Sequence, residues 1–186
     1  MKFLTLAVLN LKIRYSNFMQ KLQVFLLISL LISTQSCGIY SFTGTNIQPD
    51  VKTVQIDFFP NNAVLIEPSL SQTFYLELQD YFLQQTNLDL VTSGGDLQFE
   101  GEIIGYKINP MTATAQQTAA QDRLTITVNV RFYNNKNEED NFEQTFSHYY
   151  DYDANAQLTG SLLEDAFDEI LERIIQDIFN ASVAKW

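Results

Sequence analysis

The chain contains 186 residues, of which 22 are acidic and 11 are basic, so its formal net charge at pH 7 is −11. This balance argues against nucleic-acid binding, which relies on Lys and Arg neutralising phosphates, and against docking on anionic lipid through a polybasic patch. The abundant aromatic residues and the few glycines and prolines argue against a disordered chain, and the length suits one domain behind a leader.

Residues 1–36 are predicted to be a lipoprotein signal peptide. Lys21 precedes an apolar run from Val24 to Ile32, and small polar residues then lead to Cys37, which is the order of an export signal and its cleavage site. The run is too short for a transmembrane helix, which needs about 20 residues. Cys37 is the only cysteine and cannot form an internal disulfide, so we expect it to be acylated after cleavage rather than buried in a core.

Cleavage before Cys37 would leave a strongly acidic domain on a tether. The leader holds four of the 11 basic residues and no acidic residue, so 7 basic and 22 acidic residues follow it, a net charge near −15. Residues 37–50 are turn-rich, and we predict that they tether the lipid anchor to a single domain over residues 51–186. The sequence leaves open whether translation starts at Met1 or at Met19.

A strand and a helix are predicted at the start of the domain. Val54, Ile56 and Phe58 alternate on one side of the segment Val51–Phe59, which is typical of a strand. Ser69 then opens a helix whose apolar residues recur at intervals of four: Leu70, Phe74, Leu78 and Phe82. This apolar stripe indicates a face buried in the core.

The next two strands are predicted to form a tight hairpin. Leu88–Val91 and Leu97–Ile108 flank Ser93–Asp96, whose two glycines supply the positive-φ positions of such a turn. Gly101 and Gly105 in the second strand indicate a bend or a close backbone approach. Residues 110–121 are low in complexity and are predicted to be a mobile connection.

The clearest strand comes after this connection. Its apolar side chains alternate with polar ones and are Leu124, Ile126, Val128, Val130 and Phe132. After a polar turn tipped by Glu138–Asp140, the segment Phe142–Tyr152 is predicted to pair back, which gives an antiparallel hairpin with one wet face.

A long helix is predicted at the C-terminus. Ser161 and Glu164 have the spacing of a capping box, and acidic residues crowd the first turns, where they complement the helix dipole. The predicted fold is therefore α+β, a two-layer sandwich with two helices packed on one face of a mostly antiparallel sheet of four to five strands.

Few residues are candidates for chemistry. His148 is the only histidine, which excludes a histidine-rich metal site, and Cys37 is expected to be consumed by acylation. Asp151–Asn155 resembles the opening of a calcium loop, but Ala156 and Leu162 stand where the glycine and glutamate of that loop belong. We therefore expect no catalytic residue, no metal and no cofactor.

Several segments, taken in order, resemble the LptE-family lipopolysaccharide-assembly lipoproteins. These segments are Cys37–Phe42, Val54–Ala63, Gly95–Ile103, Arg123–Val128, Phe142–Ser147 and Asp177–Trp186. The resemblance covers nearly all of the chain after the leader and includes no catalytic motif.

The resemblance implies two helices on a four-stranded sheet and a role in the bacterial envelope. It implies a lipoprotein of the outer membrane that faces the periplasm, plugs the β-barrel LptD and helps lipopolysaccharide to reach the cell surface. Gly38, directly after the acylated cysteine, is compatible with sorting to the outer membrane. Family members contact lipopolysaccharide phosphates through basic residues, and the candidates in this chain are Arg123, Arg131, Lys107 and Lys136.

The residues alone are also compatible with a second function. A tethered sheet-and-helix lipoprotein of this size would also suit a periplasmic scaffold or regulator of another envelope protein, such as an activator of a cell-wall synthase. The partner distinguishes the two functions, because the first requires an outer-membrane barrel and the second an inner-membrane enzyme.

Overall fold

The computed structural model describes residues 47–111 and 120–184. The described residues all belong to one compact unit, Thr43–Trp186. The predicted signal peptide, Cys37, most of the tether and most of the low-complexity connection lie outside the described residues.

Five strands and two helices make up the described domain. In chain order they are β1 (Thr53–Ile56), α1 (Leu70–Gln85), β2 (Asp89–Val91), β3 (Leu97–Met111), β4 (Gln121–Asn134), β5 (Phe142–Asp153) and α2 (Ser161–Ser182). The sheet order is β2-β1-β3-β4-β5. The short strand β1 is parallel to both of its neighbours, whereas the long strands β3, β4 and β5 are antiparallel, which confirms the α+β prediction.

The central strand β4 has the alternation that its sequence predicts. Leu124, Ile126, Val128 and Val130 are fully buried, and the intervening polar side chains lie on the other face of the sheet. Burial of each large aliphatic side chain stabilises the fold by roughly 1.5–3 kcal/mol relative to leaving it exposed. This strand therefore fixes which face of the sheet the helices cover.

Both helices pack on that same apolar face. The four-residue stripe of α1 is fully buried, and the Phe82 ring at its end lies 4.7 Å from the Phe99 ring of β3 and 5.2 Å from the Phe179 ring of α2. α2 buries Ile170, Leu171 and Ile174 in the same cluster. The predicted two-layer arrangement is confirmed by these contacts.

The predicted hairpin between residues 88–91 and 97–108 is wrong. β2 and β3 do not pair, because β1 lies between them and pairs in parallel with both, so that Val54 opposes Leu90 on one side and Leu97 on the other. Gly94 does have a positive φ of 68°. The turn, however, connects β2 to β3 past the end of β1 and does not close a hairpin. Asp96 accepts hydrogen bonds from the backbone N–H groups of Lys52 and Thr53, which holds the start of β1 in this gap.

The prediction that Phe58 continues the strand alternation of Val54 and Ile56 is also wrong. β1 ends at Ile56, and the Phe58 side chain is 51% exposed, whereas Phe59 is fully buried and lies 5.1 Å from the Phe74 ring in an edge-to-face contact. Gly101 makes room for this ring, since a Cβ atom there would lie 2.6 Å from Phe59 Cε1. The predicted close approach at Gly101 is confirmed, and a register shift beside Gly105 is the predicted irregularity of β3.

The predicted capping box at the start of α2 is not formed. Ser161 is the first helical residue, the N-cap is Gly160, and no side chain caps this helix. Gly160 has φ 58° and ψ −135°, a backbone conformation that residues with a Cβ rarely adopt. Its carbonyl oxygen accepts the first helical hydrogen bonds, from the N–H groups of Leu163 and Glu164.

Candidate functional site

The outward side of β3, β4 and β5 forms a polar surface, which we call the polar sheet face. Its main side chains are Glu100, Glu102, Lys107, Arg123, Thr127, Asn129, Arg131, Glu143, Ser147, Tyr149 and Asp151. They alternate along each strand with the core residues, so the same periodicity that builds the core also gathers these groups. This face brings together three of the four predicted lipopolysaccharide-contacting residues.

Arg123 is held by two neighbours from β5. Its Nε and terminal nitrogen lie 2.6 and 2.7 Å from the two carboxylate oxygens of Asp151, and its guanidinium carbon lies 3.5 Å from the centre of the Tyr149 ring. The hydrogen bonds from Arg123 hold the pKa of Asp151 below its ordinary value. The charge of Arg123 is therefore neutralised and its side chain is fixed by a bidentate pair and a stacked ring.

Arg131 lies among acidic groups. Its nitrogens are 2.8 Å from Glu100, 3.2 Å from Glu102 and 3.9 Å from Glu143. Asn129 donates hydrogen bonds to both Glu102 and Glu143, which links the cluster across three strands. The hydrogen bond from Arg131 lowers the pKa of Glu102. Three carboxylates surround one arginine, so the cluster has an excess of negative charge.

Lys136 is not part of the polar sheet face. It follows β4 in the turn, and its ammonium nitrogen lies 2.9 Å from Asp96, the residue that holds the start of β1. Backbone hydrogen bonding from Lys52, and then the hydrogen bond from Lys136, hold the pKa of Asp96 well below its ordinary value. Lys136 therefore supports the strand β1 at the end of the domain near the tether.

Lys107 differs from the other three basic candidates. It lies on the polar sheet face, diagonally across the β3–β4 pair from Arg123, and it is exposed. Within residues 47–111 and 120–184 it makes no ion pair. Its charge is thus available to a ligand without displacing a partner among the described residues.

The other residues considered for chemistry have structural roles. His148 Nε2 lies 2.7 Å from Asp177 Oδ2, which joins β5 to α2. Asp153 accepts hydrogen bonds from the backbone and side chain of Asn155, so the segment that resembles a calcium loop is a local turn. In the described part of the chain, no group of three or more His, Cys, Asp and Glu residues could hold a metal ion. No helix in that part is both long enough and apolar enough to cross a membrane.

One feature escaped the sequence analysis. Val64, Leu65 and Ile66, in the loop between β1 and α1, are all exposed, and we call these three residues the aliphatic tip. The signal in the sequence is a short apolar run that follows Asn62 and precedes Pro68, outside both predicted elements. Consecutive exposed apolar residues are disfavoured at a surface that faces water, unless they form a binding surface.

Comparison with known families decides the assignment. The family model LptE, described as lipopolysaccharide-assembly, matches residues 51–182, which includes all five strands and both helices. The chain belongs to the LptE family. No curated protein matches it in sequence.

Solved structures similar to this LptE-family chain are distant from it in sequence. A minor lipoprotein from Acinetobacter baumannii is 12% identical with a TM-score of 0.44, covering 73% of this chain and 98% of its own. A hypothetical protein from Chlamydia trachomatis is 11% identical with a TM-score of 0.48, covering 73% and 99%. Rare lipoprotein B from Shewanella oneidensis is 13% identical with a TM-score of 0.40, covering 68% and 89%. The family assignment rests on the family match and not on these structures.

In this LptE-family chain, three of the four basic residues predicted to contact lipopolysaccharide are paired with internal carboxylates. Arg123, Arg131 and Lys136 are each neutralised by carboxylates of the same chain, and Lys107 alone among the four candidates has no such pair within the described residues. An anionic ligand on the polar sheet face would therefore have to replace internal carboxylates at both arginines.

Proposed function

We propose that this LptE-family chain is an outer-membrane lipoprotein that faces the periplasm and plugs an LptD-type β-barrel, aiding lipopolysaccharide transport to the cell surface. Residues 1–36 would be its signal peptide, Cys37 its acylated N-terminus, residues 37–50 its tether and residues 51–186 the plug. The role needs no catalytic residue or cofactor. The observation that carries the proposal is the family match over residues 51–182.

The physical character of the domain supports this role. The interior of an outer-membrane barrel is polar and large enough to admit a plug. The polar sheet face is an ordered array of hydrogen-bonding groups, cross-linked by ion pairs between neighbouring strands. Such a face can make many polar contacts with a barrel wall, and a membrane tether would raise the effective concentration of the domain near the barrel.

Direct contact with lipopolysaccharide is a finer part of the same proposal. Phosphates of the lipid would bind at Lys107, Arg123 and Arg131 on the polar sheet face, with Lys136 as a separate contact near the tether. Exchange of a carboxylate for a phosphate at an arginine keeps the charge-assisted, bidentate geometry. Lys107 would supply the first attraction, because its charge is not already neutralised within the described residues.

The decisive test is purification of the tagged full chain from detergent-solubilised membranes, followed by mass spectrometry of what copurifies. We expect an LptD-type barrel in nearly equal amount. A Cys37→Ser variant is the matched control for the anchor, and we expect it to lose acylation and to recover at least fivefold less barrel. Recovery of the chain alone, or with a cell-wall enzyme, would refute the translocon role and favour the scaffold function.

A further inference from the structure

The aliphatic tip lies at the end of β1 that is remote from the tether. The chain enters β1 at Thr53, leaves it at Ile56 and continues in the same direction along β3 as far as Asn62. The tip follows at once, and its first residue, Val64, is fully exposed. Three consecutive exposed aliphatic residues are uncommon on a soluble domain and mark a contact surface.

Hydrogen bonds at the base hold the tip in place. Asn62 N–H donates to Ile103 O at 2.8 Å, and Ile103 N–H donates to Pro60 O at 2.9 Å, so the loop begins as an extension of the sheet. Asn61 Nδ2 donates to Glu67 O at 3.3 Å, which ties the two ends of the loop together. Binding through the tip would therefore cost little ordering of the chain.

β3 continues past this loop with an open edge. Ile103, Tyr106 and Ile108 oppose alternate residues of β4, so all three direct their backbone N–H and C=O groups away from β4. Ile103 uses these groups to pair with the loop base. From Ile104 to Met111, no described residue pairs with β3 on this side, and we call this segment the open β3 edge.

The open β3 edge is apolar along much of its length. Ile104, Ile108 and Met111 are exposed, which adds aliphatic surface along the edge that begins beside the loop base. Lys107 supplies one cation without an ion pair among the described residues. Unpaired backbone groups beside exposed side chains form a site for an added strand.

We propose that the open β3 edge and the aliphatic tip together bind an extended, apolar segment of the barrel partner, which adds to the sheet beside β3. The inference rests on the proposed function, which supplies the partner. Pro110 has no N–H and ends the pairing surface, so the segment is short.

The backbone groups of the edge favour a protein strand over a lipid. Tyr106 and Ile108 offer paired donors and acceptors at strand spacing, which a polypeptide satisfies and an acyl chain does not.

An edge proline tests this pairing in the full-length chain. Ile108→Pro removes one N–H from the open β3 edge and leaves the pairing with β4 intact, since that N–H points away from β4. Leu90→Pro is the matched control, because Leu90 lies on the edge strand β2, outside the polar sheet face, and its N–H points away from β1. We expect Ile108→Pro to recover at least tenfold less barrel in the membrane purification and Leu90→Pro to recover as much as the wild type.

The outcomes separate this inference from the proposed function. If the wild type recovers the barrel and Ile108→Pro does so equally well, the strand addition is refuted while the function stands. If the wild type recovers no barrel, both are refuted.

A photo-crosslinking residue at Leu65 keeps the inference testable if the proline variant fails to fold, because the Leu65 side chain is more than half exposed. We expect ultraviolet light to give an adduct with the barrel. Adducts with lipopolysaccharide or phospholipid only would overturn the assignment to a protein strand.

Discussion

Glu77 is a carboxylic acid whose pKa the fold raises. It lies on α1, and burial, followed by the nearby Asp168 carboxylate of α2, raises its pKa from 4.5 to about 7. The folded chain therefore holds a proton at Glu77 over a range of pH in which the unfolded chain releases it. Because the folded state binds more protons there, the free energy of unfolding falls as pH rises from about 4.5 to about 7.

Glu77→Gln should remove this penalty. At pH 8 we expect the free energy of unfolding to rise by about 1 kcal/mol, a value reduced because water screens the half-exposed group. At pH 4 the change should be small, since Glu77 is protonated in both states. Urea unfolding at the two pH values measures the difference, with Asp80→Asn on the exposed side of α1 as the control. An equal effect at both pH values would contradict the explanation.

At the scale of elements, the contact between the segment after β1 and the strand β3 depends on one glycine. Gly101 lies on the core side of β3, where a Cβ atom would collide with the backbone oxygen of Asn129 and would lie 2.6 Å from the Phe59 ring. Phe59 in turn contacts Phe74 of α1. The sheet and the first helix therefore meet through a ring that only glycine accommodates.

Gly101→Ala should destabilise the domain by about 2 kcal/mol, because the added methyl group overpacks a site bounded by backbone as well as by a side chain. Thermal unfolding of the purified chain measures this loss. Thr145→Ala, an exposed position on the polar sheet face, is the control and should change stability by less than about 0.5 kcal/mol. A Gly101→Ala variant as stable as the wild type would show that β3 and Phe59 shift freely.

At the scale of the whole molecule, acidic residues outnumber basic ones by 22 to 11, and the two arginines on the polar sheet face are paired internally. The ion pairs of Arg123 and Arg131 join neighbouring strands, so they stiffen the polar sheet face as well as neutralising it. A ligand with phosphates would have to compete with these carboxylates.

Reversal of both arginine charges tests the lipid contact. The purified Arg123→Glu/Arg131→Glu variant should bind lipopolysaccharide at least fivefold more weakly than the wild type, because two sites of phosphate contact become repulsive. Arg173→Glu carries the same kind of charge change on α2, away from the sheet, and should bind within twofold of the wild type. Circular dichroism checks that each variant is folded, and equal binding by the double variant would refute the contact.

The sequence by itself determined the elements that depend on local periodicity. The stripe of α1, the alternation of β4 and the apolar face of α2 are each read within one segment, because backbone geometry repeats every 3.6 residues in a helix and every two in a strand. The polar sheet face follows from the same alternation. The ordered series of family-like segments likewise predicted the LptE family, which the match over residues 51–182 confirms.

Only the tertiary structure decided which elements are neighbours. β1 lies between β2 and β3 because the packing of the whole sheet determines which strands pair. A glycine-rich turn is compatible both with a hairpin and with a connection that crosses the end of another strand. Phe59 replaced Phe58 in the core because β1 ends before that position, so the strand alternation no longer applies. The carboxylates beside Arg123 and Arg131 come from β3 and β5, and strand register, a long-range property, places them there.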